Sequence, residues 1–252
     1  MSLIDVSTEG GAAIVRLNRP EKRNALSRQM LADFCAIFDE LSTDKSLEVV
    51  TLLGNGPVFS AGADVSDLAS LDTPENAEIF ISELSAAISA VRDCPVPVIA
   101  AMHGVCVGGA LELAAGSDLR IASEDTVFSM PEVLVGIPSV IEAALLPALI
   151  GRGRTARLVM TGEQIDAATA HAWGLIEEIV PAGFVEMAAK ELASTLQKAD
   201  PAAVRAQKKL MAEWDELGPM AAVQAGISAF GRSFENGTPA RLKEAAAKLK
   251  KG

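Results

Sequence analysis

The sequence predicts an α/β fold in which strands and helices alternate through the N-terminal half, followed by a mostly helical C-terminal part. Short apolar runs of strand length, LEVVTLLGNG and PVIAAMHG, end in glycine or turn residues. Between them lie longer segments whose apolar residues recur at helical spacing, SRQMLADFCAIFDELS and ENAEIFISELSAAISAVRDC. Beyond Ser139 one helical pattern follows another, with a single late strand. A chain of 252 residues, 50% hydrophobic, can bury a substantial core.

Taken in order, IDVSTEG and AAIVRLN flank Gly10 and Gly11 and read as a paired hairpin. Ser27 is placed to cap a first helix whose inward face is Met30, Phe34, Ile37, Phe38 and Leu41. LEVVTLLGNG reads as a buried strand, and FSAGADVSDL as a loop entering a short helix. The second long helix stops before Pro95 and Pro97, and PVIAAMHG follows as a strand. CVGGALELAAG opens another helix; DLRIAS and VFSMPEVLVGIP continue the pattern. The helical series then runs VIEAALLPALIG, RTARLVMTG, AATAHAWG, VEMAAKELASTLQ and PAAVRAQKKLMAEWDEL, interrupted by the strand LIEEIV. This places residues 1–182 in the α/β part and 183–252 in the helical part, with Pro181 to Gly183 as the junction. ARLKEAAAKLKKG reads as a solvated terminal helix.

Composition narrows the function. A net charge of -11 disfavours nucleic acid and anionic membranes, which require a basic footprint, so an anionic ligand needs a local Lys or Arg cluster. The three cysteines, Cys35, Cys94 and Cys106, are widely spaced, which indicates neither a disulfide framework nor a thiolate metal site. No apolar run reaches the roughly 20 residues of a membrane span, and MSLIDVSTEG lacks the basic start and apolar core of a secretory signal. The expectation is a cytoplasmic protein with no bound metal. With no tyrosine and two histidines, His103 and His171, carboxylates are the acid-base groups that remain.

Two weak motifs are set aside. GRGRTA, residues 151–156, matches GxGxxA, but a helical pattern precedes it where a dinucleotide site requires a strand. The GxSxG pattern of a serine nucleophile is missing. Two glycine-flanked loops are more informative. FSAGAD, residues 59–64, and VGGALE, residues 107–112, each follow an apolar strand and lead into a helix, so each can present free backbone N–H groups. Converging on one oxygen, two such donors form an oxyanion hole. Glu112 lies one turn past its glycines, with Gly108, Gly109, Ala115 and Gly116 on its helical face, and Glu132 sits among Met130, Val133, Leu134 and Val135. Burial of either acid would raise its pKa toward neutrality. A lone Glu is more commonly a surface residue; the combination with two donor loops is what points to a site.

Together these residues resemble the crotonase, or enoyl-CoA hydratase/isomerase, superfamily. The resemblance runs through VRLNRPEKRNALS, VFSAGAD, PVIAAMHGVCVGGALELAAGSDLRIAS, FSMPEVLVGIP and VMTGEQIDAATAHAWGLIEEIVP, from residue 5 to about 215. It implies a spiral of ββα units with a helical C-terminal part used in oligomerisation, as a homotrimer or a dimer of trimers. It implies an acyl-CoA thioester as ligand, and no cofactor, since coenzyme A is part of the substrate. By motif position, the N–H groups of Ala63 and Gly109 match the oxyanion hole, and Glu112 and Glu132 match the two acid-base residues of the hydratases. Lys22, Arg23, Ala61, Asp64, Val65 and Lys208 fall at the CoA-contacting positions.

The sequence departs from the family pattern in two places. Ser66 stands where many relatives carry Lys, which weakens a phosphate contact there. GIPSVIEAALLP replaces a longer glycine-rich run, putting Ser139, Ile141 and Glu142 where small residues are usual and implying a narrower or more polar acyl pocket. Glu142 reads as a helix-surface acid near a Ser139 cap, with a third active-site acid as the alternative. The resemblance favours 2-enoyl-CoA hydration. The rivals are a double-bond isomerase, in which the acid at 112 is commonly lost, a specialised hydratase or lyase, and a non-catalytic CoA-binding scaffold.

Overall fold

The computed structural model describes residues 2–249. Gly10 and Gly11, both at positive φ, turn β1 (Ile4–Glu9) back onto β2 (Ala12–Leu17) as an antiparallel hairpin pairing Ile4 with Leu17. The Ser27 side chain accepts from the Met30 N–H and starts α1 (Arg28–Thr43), as its position predicted. Met30, Leu31, Phe34, Phe38 and Leu41 of α1 are buried, and the Phe34 and Phe38 rings stack 4.6 Å apart. Ile37, expected on that face, is half-buried at its edge, and Leu31 takes the inward place.

After α1 come β3 (Val49–Gly54), buried along its length, α2 (Val65–Ala69) and α3 (Pro74–Asp93). Then follow β4 (Val98–Met102), β5 (Val105–Val107), α4 (Gly109–Ala115), β6 (Leu119–Ser123) and β7 (Val127–Ser129). Two 3-10 turns, Glu132–Val135 and Ile141–Leu145, lead to α5 (Leu146–Ile150) and α6 (Arg152–Thr161). The series continues with β8 (Ile165–Asp166), α7 (Ala167–Trp173), β9 (Glu178–Val180) and α8 (Val185–Gln197).

The strands form two sheets. The larger has the order β1-β2-β3-β4-β6-β9 and is parallel beyond its first pair; the smaller is β5-β7-β8. The pairs β4–β5 and β6–β7 each place one strand in the large sheet and the next in the small, with a helix or 3-10 turn after them, which is the ββα unit expected of the spiral. Ser60 extends the pattern by bridging to Cys106 of β5. One continuous core joins α1 and α3 to the apolar residues of β2, β3 and β4.

The chain parts into two compact units between Ser194 and Thr195, within α8. The second unit holds α9 (Pro201–Glu216), α10 (Pro219–Arg232) and α11 (Ala240–Leu249). Residue periodicity does not reveal β8 or α10: the first is two residues long, and the second contains Gly226 and Gly231, which blur a helical signal. The late strand shrinks to Glu178–Val180. The basic tail is an exposed helix through Leu249, and its last residues, 250–252, lie outside the described ones.

Candidate active site

The two glycine loops meet. Leu26 donates to Gly62 O and accepts from Asp64 N, forming a parallel bridge that turns the N–H of the intervening Ala63 away from it. Gly108, at φ 55 and ψ -130, is a backbone position open only to glycine, and it leaves Gly109 as the first residue of α4. A Cβ on Gly62 would stand 2.5 Å from Val107 O and 3.3 Å from Gly109 N, and one on Gly109 would stand 3.7 Å from Ala63 N. Absence of side chains thus brings the Ala63 and Gly109 amides side by side. Neither N–H has a protein acceptor among the described residues.

The small-residue face of the CVGGALELAAG helix divides its work. A Cβ on Gly109 would press on Leu84, and one on Gly116 on Ile88, so these two glycines admit side chains of α3. At Gly108 a Cβ would fall 2.6 Å from Oε1 of Glu132, so that glycine makes room for the second acid. Glu112 and Glu132 come from separate turns of the spiral and line one cavity of about 550 Å³ with Ala63 and Gly109.

The two acids differ. Glu112 is 3% exposed, and its Oε1 accepts the Ala143 N–H at 2.9 Å. Burial pushes its carboxyl up from 4.5 to about 8; the Ala143 N–H opposes the rise, and the charges of Glu132 and Glu142 add to it. The apolar shell expected around Glu132 does not form. Met130 is buried, but Val133, Leu134 and Val135 are exposed because the segment is a 3-10 turn at the surface, with Leu134 and Val135 on the cavity wall, leaving Glu132 half-buried. Its Oε2 accepts from the Ser139 hydroxyl at 2.7 Å. Ser139 is therefore a partner of Glu132 and caps no helix.

Glu142 departs from its surface reading. It is 7% exposed, its Oε1 accepts from Ser85 Oγ at 3.1 Å, and its Oε2 is buried without a partner among the described residues. The preceding Ile141 has φ 42, a strained value for a β-branched residue. No local pattern reveals this, because the burial comes from α3 closing over the 141–145 turn.

The candidate CoA-contacting residues scatter. Ala61 and Val65 line the cavity. Asp64 does not: its carboxylate pairs with Arg19 and caps α2 through the Ser66 N–H, and the hydrogen bond from Arg19 is the main reason its pKa is lowered. Lys22 and Arg23 are exposed and lie outside the cavity lining. Lys208 is half-buried on α9, in the second unit. Among the described residues the cavity wall holds no Lys or Arg; its acidic members are Glu78, Glu112 and Glu132. Leu68, Phe80, Ile81, Leu84 and Ile137 make much of the remainder apolar.

The family model described as enoyl-CoA hydratase/isomerase matches residues 7–237. The chain belongs to the enoyl-CoA hydratase/isomerase family. Within that family it is 31% identical over 229 residues to 2,3-dehydroadipyl-CoA hydratase of Escherichia coli, covering 90% of this chain and 87% of the relative. It is 36% identical over 202 residues to an enoyl-CoA isomerase/hydratase of Mycosarcoma maydis, covering 76% and 73%. The crystal structure of an enoyl-CoA hydratase from Bacillus anthracis superposes with a TM-score of 0.92 at 30% identity, covering 99% of this chain and 97% of that one. The fold is the crotonase fold of these enzymes, and the chain is an enzyme of their class.

Proposed function

We infer that the protein hydrates 2-enoyl-CoA thioesters. The observation that carries this reading is the convergence, on one largely apolar cavity, of two acceptor-free backbone amides and two carboxyl groups. The thioester oxygen would accept from Ala63 and Gly109, whose N–H groups stabilise the negative charge that develops there. A water held between Glu112 and Glu132 would add its oxygen to C3 and give one proton to the ionised carboxylate. The π electrons move toward the thioester oxygen, and the protonated carboxyl returns its proton to C2. The pair must therefore carry one proton, and burial of Glu112 supplies that condition at neutral pH. The chemistry requires no group beyond the CoA that the substrate brings.

The cavity wall favours an uncharged acyl group. Acids and no cation line the wall, so a free carboxylate on the acyl chain would meet repulsion with nothing to offset it. The phosphates of CoA would rely on basic residues outside the cavity wall, with Lys22 and Arg23 as the candidates in the same unit. Self-association as a trimer or a dimer of trimers is supported by the exposed apolar residues of the second unit, including Trp214, Met220 and Phe230, and sedimentation would read it directly.

The deciding experiment is a kinetic panel of enoyl-CoAs, with loss of the conjugated-thioester absorbance reporting water addition and 3-enoyl isomers included. Turnover of crotonyl-CoA to the 3-hydroxy product is expected. Turnover of 3-enoyl isomers alone would assign the protein as an isomerase, and no turnover of any member would leave a binding scaffold.

A further inference from the structure

We propose that Asn24 is the positioning residue of the thioester-oxygen donor at Ala63. This rests on the donor-pair reading above and extends it to a residue that lines no part of the cavity.

Asn24 is fully buried, and both it and Arg23 hold left-handed backbone, at φ 53 and 52. Two successive non-glycine residues in that region are strained, and such strain persists only where surrounding contacts over-determine it. Here they do. The Asn24 Nδ2 donates to Asn55 O at 2.8 Å, Val58 O at 2.9 Å and Phe59 O at 3.1 Å, while Oδ1 accepts from Arg19 N at 2.9 Å. Three carbonyls around one end of the amide fix which end carries the hydrogens. Its backbone O accepts from Ser60 Oγ at 2.7 Å, and that hydroxyl accepts from Gly62 N at 3.2 Å.

The neighbours of Asn24 continue the clasp. Arg23 O accepts from Ala61 N, and Leu26 binds Gly62 O and Asp64 N. From residue 55 to residue 64, therefore, the loop is gripped on both sides of Ala63 by a single segment, and the Ala63 N–H is left over. The far side of the same loop is tied to the strand that leads to Gly109, through Phe59 N to His103 O and Ser60 N to Val105 O. Asn24 thereby sets one donor against a frame shared with the other. A hydrogen-bond donor misplaced by about 1 Å loses most of its effect on an oxyanion, so the buried amide acts on the reaction through Ala63.

The test uses Asn24→Gly, which accepts the left-handed backbone and removes all four side-chain hydrogen bonds, and Ser60→Ala, a milder cut in the same network. Phe38→Leu, in the α1 core, serves as a stability control. The readout is the red shift of a bound 4-aminocinnamoyl-CoA, whose ring conjugates to the thioester and reports polarisation of its carbonyl, together with kcat and KM for crotonyl-CoA. Asn24→Gly is expected to lose at least half the red shift and ~10- to 100-fold in kcat, with KM changed less than ~3-fold. Ser60→Ala should move both in the same direction by less, and Phe38→Leu should keep the full shift despite a lower melting temperature. A full red shift in Asn24→Gly overturns the proposal; if that variant does not fold, a full shift in Ser60→Ala does so. A wild-type protein that binds the probe with no red shift overturns the donor-pair reading itself, and this inference with it.

Discussion

In the proposed mechanism Glu112 trades stability for chemistry, and Glu112→Gln should expose the trade. The folded-state pKa, about 8, lies above the ordinary value of 4.5, so between those limits the native chain holds a proton that the unfolded chain has released. Stability therefore falls as pH rises through this window, by about 1.4 kcal/mol per pH unit, and levels off above about pH 8. The full window sets a ceiling of ~5 kcal/mol. Glutamine is neutral at every pH, has the same shape, and retains an oxygen to accept the Ala143 N–H now held by Oε1. Its side-chain NH2 can add a constant offset but no slope. Thermal unfolding of both proteins by circular dichroism from pH 5 to 9 measures the difference. In a chain of this length each kcal/mol moves the midpoint by ~2–4 °C. The variant should gain on the wild type by roughly 3–6 °C per pH unit up to about pH 8, while losing hydration activity by ~100-fold or more. A melting-temperature gap that does not change with pH would refute the claim that Glu112 is protonated in the folded protein.

Other outcomes follow from the same geometry. Hydration measured as kcat/KM should decline as pH rises through about 8, because Glu112 ionises and the acid pair loses its single proton; a flat profile to pH 9.5 would count against that pair. Glu132→Gln should lower kcat by ~100-fold or more with thioester binding preserved, checked by steady-state kinetics alongside calorimetric titration with a saturated acyl-CoA. Gly108→Ala should be nearly as damaging as loss of Glu132, since its Cβ would sit 2.6 Å from that residue's Oε1 at a backbone conformation only glycine adopts; near-normal kcat would contradict the placement. An enoyl-CoA bearing a terminal carboxylate should be used at least ~10-fold less efficiently than an uncharged one of equal length, and equal kcat/KM would show that a cation reaches the acyl end.

Much of the framework was legible in the residue order. Strand and helix periodicity placed the elements of the large sheet, Ser27 announced α1, and Gly62 and the Gly108–Gly109 pair marked the two loops that meet, because each of these is a local property of a few neighbouring residues. Glu112 and Glu132 were identifiable through the motifs around them. Their environments were not: the apolar neighbours of Glu132 are left exposed by a 3-10 turn at the cavity rim instead of burying it, and Glu142 is buried against a helix some sixty residues earlier in the chain.

The sequence by itself thus determined the alternation of elements, where the backbone must do what only glycine can, and which acids were available. The tertiary structure decided how those acids differ in burial and which groups hold the loop before α2 in place. Ala143 reaches Glu112 across 31 residues, and Asn24 reaches its carbonyl partners across 31 to 35. Such contacts have no periodicity to read, since they exist only when successive turns of the spiral stack and bring distant amides and carboxyls into the same water-poor space.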